Sequence, residues 1–590
     1  MGKGNLVNQK PCPSCGANKK YKKCCMNKDK ARQRELLIVK PAIYDKKGVA
    51  HQIDEEIGRL LIQKADGGVT EQDVMAVLRK YNLKETLMLI GNFSRYVFHG
   101  NKDHFGQAGH LEESTDIIIT QFALGYIANM LILSGADNNS SKNLKDDPYS
   151  FLTLCNIYSN KLVHADTLKI KNNEKFTHDH LISFMVRMWY EQISSVQFST
   201  LYLMTRNIVF FDHLAKEIEP KKFDKLSDIF FQENGITIDE YMKIGFGFFA
   251  GTQNFTAFRP SYLSAASVKA FETIYTEEKI NKFLDILAID YDQFRELDAE
   301  MNKELDPIFT KNRFNPLFAH PFIKEQLDGE AVYIIPNMTA FVYKTFGGIF
   351  WWFNNYFERV GGDKKLHLSF RDFFGNSIFE QYVGLILKEI YGGQNVHPEI
   401  TYSGKSNKFS DWHIVIEDKC YLFEVKANQF ALLSRQTGNL DVIINKELKK
   451  VVEAIVETFK NVRDINNFDE LVEFRGKEII PIIVFLEIPL ISSDIYKEKI
   501  LALLSEIETK ENLEGLKDFK YYLLNIDELE LYSDVKDKID IESVFEAIKD
   551  DNGQGFVSYI TKVNDGKKLF NAYLDQVYED FWEGYSEQAK

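Results

Sequence analysis

The stretch FSDWHIVIEDKCYLFEVKA, residues 409–427, constrains the fold more than any other part of the chain. Two apolar runs flank a short charged turn. Asp411 opens the first run, and Glu424 and Lys426 close the second. Acid and ammonium groups are costly to bury beside a sheet core unless they are paired or bind a metal. Residues two apart on a strand share a face, so Glu424 and Lys426 point one way and Phe423 and Val425 the other. A two-residue turn at Glu417–Asp418 sets Asp411 opposite Glu424; one at Asp418–Lys419 sets it opposite Lys426. Both put the three charged groups on one face, whereas a three-residue loop without a bulge does not. Directly opposed side chains have Cβ atoms about 5 Å apart. Two carboxylates at that range repel, but they can share a hard divalent cation, whose oxygen ligands lie at about 2.1 Å for magnesium. Lys426 beside it can orient or deprotonate a water, which makes a hydrolytic site for phosphodiesters. His413 falls on the same face and reads as a packing residue.

A further acid is available upstream. Phe379, Val383, Ile386 and Ile390 form the apolar stripe of a helix; Glu380 lies off that stripe, Gly384 leaves room above it, and Gly392–Gly393 ends the helix. Downstream, Lys446, Lys449 and Lys450 lie beside a stripe of Leu448, Val452, Ile455 and Phe459. They read as a solvated face, with phosphate contact as the alternative. A Glu in a helix, an Asp at a strand start, Glu-x-Lys on the next strand, then a helix and an apolar strand: this order resembles the PD-(D/E)XK nuclease superfamily over roughly residues 365–490, or to 535 at its widest. The resemblance implies Asp411 and Glu424 as ligands of Mg2+ or Mn2+, Lys426 as the catalytic lysine, and Glu380 as an accessory acid and further metal ligand. Ser410 stands where the family often has Pro, and Gln429 resembles an accessory polar position of some branches. The plainer reading is an Asp411–Lys426 cross-strand ion pair worth under about 1 kcal/mol, with Glu424 solvated.

The N-terminus carries a second motif. Of six cysteines, four stand in PCPSCGANKKYKKCC: Cys12, Cys15, Cys24 and Cys25, a C-x2-C-x8-C-C array. Four thiolates so spaced suit tetrahedral Zn2+, and so small a segment cannot bury a core of its own. The array is similar to the SEC-C motif, usually C-x-C-x8-C-(C or H), with Ser14 as one extra residue. Closed four-fold ligation implies a structural or docking role. The lysines around it suit contact with nucleic acid, ribosome or an acidic protein face.

The chain has 590 residues, 45% hydrophobic and 27% charged, with net charge −14. That charge repels nucleic acid unless basic patches or bound cations intervene. The expected architecture is multidomain, α plus α/β. It comprises the zinc motif (1–30), a helical and aromatic-rich region that senses or regulates (31–360), a PD-(D/E)XK-like α/β nuclease region (361–535) and a helical tail (536–590). DIIITQFALGYIANMLILSGA, broken by Thr120, Gln121 and Asn129, reads as a buried helix and not a membrane span. IGFGFFAGTQNF and GGIFWWFNNYFERVGG read as packing elements. No apolar leader is visible, and clustered cysteines fit a reducing cytosol. The expectation is a cytoplasmic bacterial nuclease acting on DNA in preference to RNA, suited by analogy to antiphage defence. The alternative is a silent, zinc-tethered adaptor that binds protein or nucleic acid through a nuclease-like fold.

Overall fold

The apolar stretch before the first long polar break folds as α1 (Gln121–Leu133). Thr120 caps it by accepting the Ala123 N–H, and nearly every residue of the helix is buried. At about 1.5 Å per residue its 13 residues reach about 20 Å, and no described helix is long and apolar enough to cross a membrane. The computed structural model describes residues 42–44, 46–62, 69–100, 119–160, 177–192, 200–262, 274–327, 329–404, 407–550 and 555–586. Cys12, Cys15, Cys24 and Cys25 lie outside the described residues.

The architecture is mixed α and β. Helices dominate up to Gly361, among them α2 (Thr200–Ile208), α3 (Met338–Gly347) and α4 (Ile349–Gly361). This stretch also holds a small sheet that the helical reading missed. Ala257–Phe258, Glu330–Ile334, Phe322–Leu327 and Ala288–Ile289 pair in that order. The LDGEAVYI stretch carried the signal, since Asp-Gly before a β-branched and aromatic run favours a tight hairpin.

Beyond Lys365 a helical rod runs from Leu366 to Tyr391, interrupted by one wide π turn at Phe374–Phe379. Its last part is α5 (Glu380–Tyr391), which Gly392 ends at φ +83°. Five strands follow: β1 (Val396–Pro398), β2 (Trp412–Ile416), β3 (Lys419–Gln429), β4 (Glu478–Glu487) and β5 (Tyr522–Asn525). They lie in the order β5-β4-β3-β2-β1. β1 and β3 flank β2 antiparallel, while β3, β4 and β5 run parallel. Parallel neighbours need a crossover. α6 (Lys449–Asp464), entered through a second π turn at Ile443–Leu448, supplies one, and the helix Lys497–Glu511 supplies the other.

Period-two alternation sorts the sheet faces. Trp412, Ile414, Phe423 and Val425 join Val383 and Ile386 of α5 in one core. Ile483 and Phe485 of β4 meet Val452 and Ile455 of α6 in another. The first core is continuous from Tyr202 to Phe581, so helices before and after the sheet share it. A buried ion pair crosses the same boundary. Arg206 of α2 donates from Nε and Nη2 to Glu530, and the Tyr382 hydroxyl donates to that carboxylate as well.

Candidate active site

The β2–β3 hairpin turns on two residues. Ile416 pairs with Lys419, leaving Glu417 and Asp418 in the turn, with Glu417 at φ +53°. Of the two turns the sequence allows, this one sets Asp411 against Glu424, because Trp412 pairs with Phe423 and the register runs one place further. Asp411 is not a ladder residue itself. Its carboxylate accepts the Val425 N–H at 2.8 Å and so extends the pairing with a side chain. Glu424 is 3% exposed. The Lys426 ammonium donates to it at 2.5 Å and to Glu457 of α6 at 3.0 Å.

The electrostatics are lopsided. Burial raises the Asp411 carboxyl to about 6, against the Val425 N–H and Lys426, which lower it; Glu457 and Glu399 add to the rise. Burial, then Asp411, push Glu424 well above the usual carboxylate range. Glu380, at the start of α5, rises to about 7 through burial and then through Asp411 and Glu399. Burial disfavours the charged Lys426, yet Glu424 and Glu457 outweigh it and hold the ammonium charged. Five carboxyl groups, Asp411, Glu424, Glu380, Glu457 and Glu399, thus face two ammonium groups, Lys426 and Lys408. That excess of acid is what a divalent cation balances. Among the described residues no three or more His, Cys, Asp or Glu are already gathered as a metal-holding group. Magnesium takes one or two carboxylates and completes its shell with water and phosphate, so the opposed pair Asp411 and Glu424 fits it.

Each residue expected around the hairpin has a definite place. Asp411, Glu424 and Lys426 come together, and Glu380 approaches from the helix packed on the opposite face of the sheet. The room above Gly384 is taken by the Trp412 ring: a methyl group on Gly384 would sit 2.2 Å from it. Trp412 Nε1 donates to the Glu380 carbonyl at 2.9 Å, which ties the helix start to β2. His413 is buried as a packing residue, stacked on His397 with Phe474 edge-on. Burial, then His397, lower its imidazole to about 4. Glu457 went unread in the sequence. A charge on a helix face passes for solvated, and its only signal was a position off the Val452–Ile455–Phe459 stripe. Glu399, directly after β1 and paired with Lys408 at 2.9 Å, was missed as well.

Beside the lysine opens a cleft of about 1870 Å³. It lies at the carboxyl ends of the parallel strands, where Lys426 and Gln429 of β3, Glu487 of β4 and Asn525 of β5 line it. Open α/β sheets bind ligands outside these strand ends. Residues of α2, α3 and α4 form the facing wall. The sequence matches no family model and no curated protein.

Proposed function

We propose that the protein is a divalent-metal-dependent nuclease that hydrolyses phosphodiester bonds of nucleic acid, with DNA preferred. The observation that carries this reading is the placement of Asp411, Glu424 and Lys426 on one face of the hairpin, with Lys426 also lining a large cleft. Asp411 and Glu424 would hold Mg2+ or Mn2+, with Glu380 as the accessory acid. The cation, when bound, neutralises phosphate charge and polarises the phosphorus–oxygen bond. The chain's own contributions are positional. The Val425 N–H fixes the Asp411 carboxylate, Glu457 steadies Lys426, and the Lys426 ammonium stands where it can orient the attacking water and steady charge on the phosphate. The residues around Cys12, Cys15, Cys24 and Cys25 are read as a structural Zn2+ site, which metal analysis of the protein purified without chelators would test by finding one zinc per chain. An intracellular role in antiphage defence rests on analogy alone.

The test is cleavage of generic DNA and RNA with Mg2+ or Mn2+. Lys426→Ala should lower the rate about a hundred- to ten-thousand-fold, the usual range for a positioned proton-transfer group, yet still bind Mn2+ by calorimetry. Glu424→Ala should lose both. Wild-type protein that binds nucleic acid but cleaves none, with either metal, would favour the silent adaptor.

A further inference from the structure

Resting on that reading, we infer that the substrate carries unpaired nucleotides at the cleavage point, with its backbone on the lysine rim of the cleft and its bases inside. The charge is distributed that way. Lys446, Lys449 and Lys450 stand exposed along the rim next to Lys426, and the three hold no ion pair among the described residues. They are free to meet phosphates, which is the main electrostatic work of nucleic-acid binding.

The interior has a different character. Its arginines are already engaged, Arg206 by Glu530 and Arg435 by Glu487. Deep in the cleft lie Asp527 and Glu528, whose carboxyls burial raises to about 6 and about 8. Beside these two acids a polyanionic backbone gains nothing. Base edges do, because a carboxyl group such as that of Asp527 pairs with their amino and ring nitrogens. The opposite wall offers a stacking face. Trp351 of α4 is 43% exposed, and it lines the cleft beside Phe350. In a duplex the faces of the bases are covered by their neighbours, so an aromatic ring can stack only on a base that is unpaired or single-stranded. The volume agrees: about 1870 Å³ exceeds the roughly 300–1,000 Å³ of a pocket for one small ligand. It suits a short run of nucleotides.

The experiment measures binding by fluorescence anisotropy in metal-free buffer, so that it does not depend on cleavage. A labelled single-stranded DNA of 20 nucleotides is compared with the same sequence fully paired. The single strand should bind about tenfold or more tightly. Trp351→Ala should weaken single-strand binding about five- to hundredfold, the range for loss of one stacked base, without changing its salt dependence. Lys449→Gln and Lys450→Gln should each flatten the log–log salt dependence by ~0.7 and leave the preference for unpaired strand intact. Equal or tighter binding of the duplex, or Trp351→Ala binding like wild type, overturns the inference. Absence of binding to either strand form overturns it too. Strand-selective binding without any cleavage sinks the nuclease reading and leaves only the single-strand binding mode standing; cleavage of paired DNA with no strand preference does the reverse.

Discussion

At the scale of single residues, two carboxyl groups lining the cleft, Asp527 and Glu528, hold their protons unusually well, and Glu528 offers the cleanest test. Its side chain accepts the Asn525 N–H and the Ser492 hydroxyl, yet burial and then Asp527 raise it to about 8. A carboxyl raised on folding binds its proton more tightly in the native state. Its contribution to stability is present in full below the unfolded value near 4.5 and is lost as pH rises through about 8. Thermal unfolding should therefore move down by several degrees between pH 6 and 9. Glu528→Gln should flatten that decline, because glutamine preserves the capping box with Asn525 but cannot ionise. An unchanged pH profile in the variant would show that the decline comes from other groups. The sequence made Asp411, Glu424 and Lys426 legible because strand parity is arithmetic. It hid Glu457 and Glu399, whose part in the site depends on partners from other elements, and Glu528, whose burial depends on what the rest of the chain lays over it.

At the scale of elements, the site depends on how closely α5 meets β2. Gly384 is the point of contact, with the Trp412 ring lying against its backbone. Gly384→Ala overpacks that contact and should cost about 1–3 kcal/mol, read as a lower urea midpoint. The Trp412 indole should shift with it, weakening its bond to the Glu380 carbonyl, and the fluorescence of the variant should report the change. Wild-type stability in the variant would mean that the two elements are not in close contact. The hairpin, α5, α6 and the apolar β4 were all legible from periodicity. Of the four-stranded sheet between Ala257 and Ile334, only the central hairpin carried a signal. Two of its strands have two residues each, too short for any period to register, and they exist only because longer neighbours offer free edges.

At the scale of the whole molecule, the helices before Gly361 are bound into the sheet region. Arg206 and Glu530 lie 324 positions apart in sequence yet form a buried pair, with Glu530 1% exposed. Arg206→Ala strands that carboxylate and Tyr382 beside it. Losing one partner of a buried pair costs about 3–5 kcal/mol, so the melting temperature should fall and the two halves should not unfold independently. A calorimetric trace that resolves two separate transitions in the wild type would contradict this. For the same reason, residues 361–590 expressed alone should aggregate, since they expose the surface that α2 and its neighbours cover. The sequence foretold helices here, but not their fusion to the sheet through one core.

The π turn at Phe374–Phe379 also bears on how the chain tolerates changes of length. Each residue turns an α-helix by about 100°, and a π turn absorbs one extra residue without passing that rotation on. Phe370 packs on Phe353 and Phe357 of α4, while Ile386 faces the sheet. In an unbroken helix they would stand ~160° apart; the wide turn brings them to ~60°. The rod therefore behaves as an ordinary helix carrying an insertion scar. Deleting one residue from 375–377 should restore regular winding and leave both flanks, and Glu380, aimed as before. The same deletion at 383–385 should swing one flank by about 100° and destroy the fold. Solubility and melting of the two deletion variants would tell them apart. In lineages carrying this segment, loss of a residue should be survivable at that one turn.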